Sequence, residues 1–337
     1  MTVALAPATD LSSDGGLRVS GLAISYGGTP MIGPVSFAVP AGDAVTIVGE
    51  TGAGKTLLLR SLMGLLPAGF EMAGEVHVSG AGQPLRTPAE LRAQLGRQVG
   101  VVLQNPFQAF DPLRPVGRQV TEGVLRRKLI GKQAAKERAV TLLRQMGFDR
   151  PEEVQRLFPG QLSGGMAQRV AIATAVMPDP GVVLADEPTS ALDAVLRVRV
   201  LGLLREFAGR RGAALVMISH DLSLAAEFSQ QLIVLYSGRV VEAGPAAELT
   251  ATPRHPYTRA LLACTPQVGA EGKRELPSIP GSVPSPLRPL AGCRFAARCP
   301  LVIERCLTEE PRLRALGGAQ VACHVAEEGG PARHDES

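Results

Sequence analysis

The sequence predicts an α/β protein with a largely parallel sheet that helices cover on both faces. Short β-branched apolar runs alternate with helical patterns between about Leu17 and Leu249, as in AVTIVGE, VGVVLQ, GVVLADE, ALVMISH and QLIVLYSGRVVEAG. This alternation is typical of repeated strand–helix units, whose strands are buried on both sides. Hydrophobic residues form 45% of the 337 residues but aromatic residues only 4%. Aliphatic side chains must therefore fill most of the core.

Charge and apolar content limit the classes of function. The net charge of +4 is too small to indicate a nucleic-acid or anionic-membrane partner, and we expect no nucleic acid to be bound. Residues 1–16 have no signal-peptide pattern and are predicted to be flexible. No apolar run approaches the roughly 18 residues that a membrane-spanning helix needs. We therefore expect a cytoplasmic protein that reaches a membrane only peripherally, through partners.

The stretch GETGAGKT, residues Gly49–Thr56, follows the apolar run AVTIV and precedes the helical run LLLRSLMGLL. That context is typical of a phosphate-binding loop, in which glycines turn the backbone so that its N–H groups face phosphate oxygens at a helix amino end. Lys55 is expected to reach the β and γ phosphates, and Thr56 to bind Mg²⁺ through its hydroxyl. The predicted nucleotide-binding residues of the loop are Gly49, Glu50, Thr51, Gly52, Ala53, Gly54, Lys55 and Thr56.

The stretch VVLADEP has two carboxylates, Asp186 and Glu187, at the end of another apolar run. Ligands of open α/β sheets bind at the carboxyl ends of the strands. We expect Asp186 to hold Mg²⁺ through water and Glu187 to be the base that polarises the attacking water. The alternative is that the two are exposed turn carboxylates. The presence of a phosphate-binding loop weakens this alternative.

A second glycine motif, LSGGMAQR, opens an apolar helix at residues 162–169. Ser163, Gly164 and Gly165 are predicted to form a second anion-binding cradle at the start of that helix. The first loop is already predicted to bind the phosphates, so the second cradle must have a different role. We expect it to cap the γ phosphate bound by a second subunit in a head-to-tail dimer, which ATP would then hold together.

In this order, the motifs GETGAGKT, LSGGMAQR, VVLADEPTSALD and ISHD resemble those of the ATP-binding cassette (ABC) ATPases. The resemblance spans roughly Leu17 to Leu249 and implies a P-loop nucleotide-binding domain with a RecA-like core and a helical subdomain. It also implies ATP hydrolysis coupled to solute translocation. Position by position, it implies that Tyr26 stacks on adenine and that Asp193 lies at the dimer seam.

The same resemblance implies catalytic roles for two more polar side chains. Gln104, in VVLQNP, corresponds to a glutamine that senses Mg²⁺ and couples to membrane subunits, and His220 to a histidine that contacts the γ phosphate. Tyr26 keeps an alternative, since a core tyrosine is always plausible. Met166 stands where many family members have glutamine. Because the serine and glycines beside it are intact, we expect hydrolysis to persist and Met166 to affect only the periphery of the second cradle.

The chain changes character after Thr250. A proline turn and a helix are expected in RHPYTRALLACTP, and the prolines of PSIPGSVPSPLRP forbid regular structure, so residues 253–290 are predicted to be a helix and a linker. Together with GCRFAARCP, ERC and VACH, this region resembles the tail of the peptide-importer branch of the ABC ATPases. That branch serves dipeptides, oligopeptides and, in some members, nickel or metal chelates.

The cysteines of this tail follow the spacing C-x5-C-x6-C-x16-C and are Cys293, Cys299, Cys306 and Cys323. Zinc knuckles usually begin with two closer cysteines, so the pattern suits an iron–sulfur cluster better, although the ligand type does not exclude zinc. By resemblance to the importer branch, we predict a 4Fe-4S cluster in a module of residues 291–326. The alternative is buried or free cysteines, which is our expectation for Cys264. Residues 327–337 are predicted to be a disordered tail.

The motifs together predict the ATP-hydrolysing subunit of a di- or oligopeptide importer, at the cytoplasmic face of the cell membrane. Residues 17–252 would form the nucleotide-binding domain, with its helical subdomain at about 105–178. The implied cofactors are Mg²⁺ and the cluster, with ATP as substrate. The implied partners are a second, related ABC ATPase, two transmembrane permease subunits and an extracytoplasmic substrate-binding protein.

Two alternatives to this function remain open. An importer of nickel or metal chelates would use the same domain, because the solute is selected by the other subunits. A non-transport ABC ATPase acting on DNA or ribosomes is a weaker alternative, since such relatives usually carry a long coiled-coil insertion or two cassettes in one chain, and this sequence has neither. The sequence leaves the solute open, as well as the choice between homodimer and heterodimer.

Overall fold

A computed structural model describes residues 16–190, 192–264, 278–285, 287, 291–327 and 330–331. The predicted flexible amino terminus and the predicted disordered tail lie almost wholly outside the described residues. Much of the predicted linker lies outside them as well. Its described residues, 278–285 and 287, form no helix or strand.

The described strands form a three-stranded, an eight-stranded and a two-stranded sheet. Their bounds are β1 Gly16–Tyr26, β2 Thr29–Pro40, β3 Ala44–Val48, β4 Phe70–Val78, β5 Val99–Val102, β6 Val182–Asp186, β7 Ala214–Ser219, β8 Gln231–Tyr236, β9 Arg239–Pro245, β10 Arg314–Leu316, β11 Ala319–Val321, β12 Ala326–Glu327 and β13 Gly330–Pro331.

The α-helices alternate with the strands along most of the chain. Their bounds are α1 Lys55–Leu62, α2 Pro88–Gln94, α3 Val116–Arg126, α4 Lys132–Gln145, α5 Pro151–Val154, α6 Gly164–Val176, α7 Ala194–Arg211, α8 Leu222–Phe228, α9 Ala246–Ala251, α10 Pro256–Ala263 and α11 Glu304–Thr308.

The eight-stranded sheet has the order β10-β11-β9-β8-β3-β7-β6-β5 and forms the centre of the molecule. Strands β8, β3, β7, β6 and β5 run parallel to one another. Every residue of β3 and β6 is buried, because helices and the smaller sheet cover both faces. The predicted parallel α/β core is therefore confirmed.

Two parts of the architecture differ from the prediction of a largely parallel sheet. Strands β2, β1 and β4 form a separate antiparallel sheet, which packs on one face of the central sheet through a shared apolar cluster. The run QLIVLYSGRVVEAG forms the antiparallel pair β8–β9, because Ser237 (φ 44°) and Gly238 (φ 75°) reverse the chain in two residues. A parallel pair would need a crossover of a dozen residues or more.

The helices between Val116 and Val176 pack together on the other face. Apolar side chains of α3, α4 and α6 share one buried cluster with Leu215 and Met217 of β7. This cluster attaches α6, and with it the second glycine motif, to the central sheet. The bundle falls within the range predicted for a helical subdomain, whose boundaries remain a prediction.

The segment with the clustered cysteines extends the central sheet. Strand β11 pairs with β9 through Gln320 and Val321, and β10 follows it at the sheet edge. Phe295 is buried against the rings of Tyr236 and Tyr257, with centroid distances of 5.2 and 5.4 Å. The segment is therefore packed onto the end of the sheet that carries the phosphate-binding loop.

Candidate nucleotide-binding site

The phosphate-binding loop lies between the end of β3 and the start of α1, as the sequence predicts. Gly54 has φ 105° and lies where an added Cβ would come within 2.5 Å of Ile32. An added Cβ on Gly49 would come within 2.3 Å of the Leu235 carbonyl oxygen of β8. Glycine is thus required at both ends of the turn that precedes the helix amino end.

Lys55 is buried beneath this loop. Its Nζ donates hydrogen bonds to the carbonyl oxygens of Gly49 (2.8 Å) and Glu50 (3.1 Å), and lies 4.0 Å from Glu187 Oε1. Burial lowers the pKa of Lys55, while the neighbouring carboxylates of Glu187 and Asp186 oppose that shift. A cationic side chain with incomplete charge compensation fits the binding of a polyanion.

Thr56 and Asp186 provide two oxygen groups at one point beside the loop. The Thr56 hydroxyl donates to Asp186 Oδ1 at 3.4 Å. Burial, followed by the charge of Glu187, raises the pKa of Asp186. A divalent cation would offset both effects, and Mg²⁺ typically takes only one or two carboxylates because substrate phosphates and water complete its shell. The residues therefore fit a Mg²⁺ ion.

Glu187 is the meeting point of the predicted catalytic residues. Its Oε2 accepts a hydrogen bond from Gln104 Nε2 at 3.1 Å and lies 3.5 Å from His220 Nδ1. The His220 contact lowers the pKa of Glu187, and the same contact raises the pKa of His220. Glu187 is therefore ionised at neutral pH, as a base must be.

The backbone of Glu187 is unusual for a residue with a side chain. Its φ of 42° lies in the left-handed region, which costs about 1–3 kcal/mol and persists where the surroundings enforce it. Conformations of this kind concentrate at functional sites. The turn after β6 thus directs this carboxylate towards Lys55, Gln104 and His220.

The second glycine motif lies at the start of α6, on the surface. Ser163 caps the helix by accepting from the Met166 N–H at 3.2 Å, and both Ser163 and Gly164 are exposed. An added Cβ on Gly164 would meet nothing within 4 Å. Met166 is half-buried and packs against the helical cluster, away from the exposed serine and glycine.

Asp193 and Tyr26 lie elsewhere on the surface. Asp193 is exposed and caps α7 by accepting from the Leu196 N–H at 2.9 Å. Tyr26 is 46% exposed at the end of β1, and its ring lies 4.9 Å from that of Phe70. The core-tyrosine alternative is therefore wrong. The sequence analysis missed Phe70, which adds a second ring at the same place.

Two side chains that contact the phosphate-binding loop were also missed. The Glu50 N–H donates to the Tyr257 hydroxyl at 2.7 Å, and Arg298 pairs with the Glu50 carboxylate at 2.8 Å. Sequence separations of 207 and 248 residues divide these partners. No local pattern in the sequence could have joined them.

The four clustered cysteines share one neighbourhood. Burial raises the pKa of Cys293 and of Cys299 to about 11, and the charges of the other cysteine thiolates of the cluster reinforce both shifts. Burial raises the pKa of Cys323 as well, with a smaller contribution from Cys306. Backbone N–H groups of Phe295, Leu301, Val325 and Ala326 face the sulfur atoms. Cys264 caps the carboxyl end of α10 and is half-buried, and its role as a small hydrophobe stays a prediction.

The described part of the chain lacks two kinds of feature, a metal-binding group and a membrane-spanning helix. It has no group of three or more His, Cys, Asp or Glu side chains spaced to hold a metal ion. None of the helices described combines the length and apolar character needed to cross a membrane.

Comparison with known proteins agrees with this geometry. The model of the family described as ABC transporter matches residues 32–190, and that of the oligopeptide/dipeptide transporter C-terminal region matches residues 241–306. The chain is 40% identical, over 87% of its length and 89% of the relative's, to the di/tripeptide transport ATP-binding protein DppF of Pseudomonas aeruginosa. The chain belongs to the ABC transporter ATP-binding proteins.

Further relatives of this ABC protein support the same assignment. It is 39% identical to the dipeptide transport ATP-binding protein DppD of Escherichia coli, over 86% of this chain and 89% of that protein. A solved dimeric ATP-binding cassette, in a post-hydrolysis state with ADP and Pi bound, superposes with a TM-score of 0.58 and 26% identity, covering 68% of this chain and 98% of that one. The fold of this chain is therefore the P-loop fold of the ABC ATPases, with a mixed α/β sheet.

Proposed function

We propose that this chain is the ATP-hydrolysing subunit of an importer for di- or oligopeptides. The observation that carries the proposal is the convergence of Lys55, Gln104 and His220 on the ionised carboxylate of Glu187, beside a phosphate-binding loop. The peptide substrate is suggested by the relatives, which are di/tripeptide and dipeptide transport ATP-binding proteins, and by the C-terminal family match.

In the proposed mechanism, the loop residues Gly49–Thr56 bind the phosphates of ATP through backbone N–H groups, and Lys55 moves its ammonium onto the β and γ phosphates. Tyr26 stacks on adenine. Thr56, Asp186 and Gln104 would hold Mg²⁺, which would neutralise part of the charge on the phosphates. Glu187 accepts a hydrogen bond from the attacking water, orients it and takes its proton.

His220 complements Glu187 in this mechanism. Its raised pKa favours the charged imidazole, which can donate a hydrogen bond to the γ phosphate. Ser163 and Gly164, together with Gly165 and the seam residue Asp193, act on ATP bound by a second cassette. The exposure of Ser163, Gly164 and Asp193 at the start of α6 and α7 supports this role, since a partner can reach them.

We further propose the assembly that this activity requires. Two transmembrane permease subunits, an extracytoplasmic substrate-binding protein and a second, related ABC ATPase would complete the importer, with this chain at the cytoplasmic face of the membrane. Residues 17–252 would be the nucleotide-binding domain, with the helical subdomain at about 105–178, and residues 291–326 the cysteine module.

The experiment that tests the function is uptake of labelled di- and oligopeptides in cells with the wild-type chain or Lys55→Ala. Loss of peptide uptake in the variant is the expected result, because Lys55 binds the phosphates. Lys136→Ala, at an exposed position of α4, is the matched control and should leave uptake intact. A loss of chelated-nickel uptake alone would establish the metal-chelate alternative, and unchanged uptake of both would contradict the importer.

We also propose that Cys293, Cys299, Cys306 and Cys323 hold a 4Fe-4S cluster. Support comes from the proximity of the sulfurs, since the charges of neighbouring cysteines add to burial in raising the pKa values of Cys293, Cys299 and Cys323. The N–H groups that face the sulfurs add to it, because such donors stabilise thiolate–iron clusters.

Metal analysis after anaerobic purification tests the cluster. About four iron and four acid-labile sulfide atoms per chain are expected, as for any 4Fe-4S centre. Cys299→Ser should lose most of both, whereas Cys264→Ser should retain them, because Cys264 lies outside the group. Zinc in place of iron, or no metal in the wild-type chain, would refute the cluster.

A further inference from the structure

The cysteine segment contacts the phosphate-binding loop directly through one arginine. Arg298, the residue before Cys299, forms a two-point ion pair with Glu50 of the loop: Nη1 donates to Oε2 at 2.8 Å and Nη2 to Oε1 at 3.0 Å. The Arg298 side chain is only 4% exposed, and that of Glu50 is 28% exposed. Buried pairs with this parallel geometry are stronger and more directional than surface pairs.

Further hydrogen bonds hold the guanidinium of Arg298 in place. Its Nε donates to the Pro280 carbonyl oxygen at 2.7 Å, its Nη2 to that of Ile279 at 3.1 Å, and its Nη1 to the Tyr236 hydroxyl at 3.2 Å. Each of its nitrogens therefore has a partner. Pairing with Glu50 raises the pKa of Arg298 further above its ordinary value, so the charge is permanent.

Glu50 is fixed at its backbone as well as at its carboxylate. Its N–H donates to the Tyr257 hydroxyl, and its carbonyl oxygen accepts from Lys55 Nζ. The arginine, the tyrosine and the lysine thus hold three separate groups of one loop residue. Arg298 is the only one of the three that lies in the cysteine segment.

A second arginine of the segment is linked to the loop through the turn between β8 and β9. Arg294, the residue after Cys293, donates from Nη1 to the Ser237 carbonyl oxygen at 2.6 Å. The neighbouring Gly238 N–H donates to the Ala53 carbonyl oxygen of the loop at 2.8 Å. Arg298 therefore contacts the loop directly at Glu50, and Arg294 reaches Ala53 only indirectly, through Ser237 and Gly238.

We propose that Arg298 is a positioning residue for ATP binding: through Glu50, the cysteine segment holds the phosphate-binding loop in the conformation that receives phosphates. This inference rests on the proposed function, namely that the loop binds ATP. A loop held in its bound conformation loses less conformational entropy on binding. Removal of the arginine frees the Glu50 carboxylate and lets the turn depart from that conformation.

The test is equilibrium binding of a fluorescent ATP analogue, with Mg²⁺, to the purified full-length chain and its variants. Arg298→Gln is expected to raise the Kd by about 3- to 30-fold, within the usual coupling between contacting residues. Glu50→Gln should have a similar effect. The double variant should bind no worse than the weaker single variant, because both substitutions remove the same interaction.

Hydrogen exchange without nucleotide gives a second measurement. The amides of residues 50–55 should exchange faster in Arg298→Gln, while those of α11 keep their wild-type rates. Arg305→Gln is the matched control, since Arg305 lies in the same segment but forms its ion pair with exposed Glu309, and it should change neither measurement. Arg298→Lys retains charge without the fork and should fall between wild type and Arg298→Gln.

The outcomes separate this inference from the proposed function. Unchanged ATP binding in Arg298→Gln, additive effects in the double variant, or equal losses in Arg305→Gln would each overturn the positioning role. If Arg298→Gln does not fold, the same comparison is made between Arg298→Lys, Glu50→Gln and the double variant that combines them. A wild-type chain that binds no ATP, or binds it equally well as Lys55→Ala, would overturn the proposed function instead.

Discussion

The two glycine motifs of this chain each stand at the start of a helix, but their surroundings differ. The phosphate-binding loop is enclosed by its own chain: Lys55 lies beneath it, and Arg298 and Tyr257 hold Glu50. The motif at Ser163 and Gly164 also starts a helix, there through the capping side chain of Ser163, but both residues are exposed. The first cradle lies beside the predicted catalytic groups, whereas we propose that the second acts on a ligand that another chain presents.

The strongest test of the enclosed cradle is Glu187→Gln. We expect ATP turnover to fall by about 10²–10⁴-fold with nucleotide binding retained, because the amide cannot take a proton from water but keeps the shape of the site. Steady-state hydrolysis and equilibrium binding measure the two effects. Unchanged turnover would remove Glu187 from its role as base.

The exposed cradle is tested by Gly164→Asp. Space around Gly164 is open, and a carboxylate in the first turn of a helix is favourable, so the subunit should fold and bind ATP normally. Hydrolysis should nevertheless fall by about 10²-fold, because the new charge repels the γ phosphate held by the partner cassette.

The matched control for that substitution is Gly131→Asp, at the start of α4, where an added Cβ also meets nothing within 4 Å. It should hydrolyse ATP at the wild-type rate. If Gly164→Asp did the same, the second cradle would have no part in catalysis and the contrast between the two motifs would disappear.

Acid should destabilise the folded chain through His255, which lies beside the support of the enclosed cradle. His255 is fully buried at the start of α10, the helix that carries Tyr257, and burial lowers the pKa of His255 to about 3. Between pH 6.5 and about 3 the unfolded chain binds the proton and the folded chain does not. Stability is therefore lost as pH falls through this window, by about 1.4 kcal/mol, or tenfold, per pH unit.

The variant His255→Asn keeps a helix-capping side chain and removes the titration, so its stability should depend less on pH. Glu242 bonds the His255 N–H, and burial raises the pKa of Glu242, which acts in the opposite direction just above pH 4.5. The difference between the variant and the wild-type chain cancels that contribution. Chemical denaturation from pH 7 to pH 4.5 measures it, and parallel curves would contradict the assignment to His255.

The smallest effect is expected from Met166→Gln. The Met166 side chain packs against the helical cluster, while its N–H bonds Ser163 whatever the side chain is. Hydrolysis should change by no more than about twofold, the range of most partly exposed substitutions. A change of tenfold or more would mean that position 166 takes part in the second cradle.

Short-range patterns were sufficient for much of the site. The glycines and Lys55 of the first loop, the strand before Asp186 and the helix start at Ser163 were predicted because each depends on residues within one turn or one strand. Fully buried parallel strands read as continuous apolar runs, so the centre of the sheet was also predictable. The separate antiparallel sheet was missed, because apolar runs do not by themselves reveal the direction of pairing.

The sequence by itself determined the two cradles, the carboxylate pair and the cysteine spacing, since local geometry and residue chemistry define them. Only the tertiary structure brought Gln104 and His220 onto Glu187 and revealed Phe70 beside Tyr26. It alone joined Glu50 to Arg298, across 248 residues. Such contacts form when the core packs. Burial of apolar surface is non-directional and does not depend on how far apart two residues are in the sequence, so it brings together the polar groups that the packed strands and helices carry.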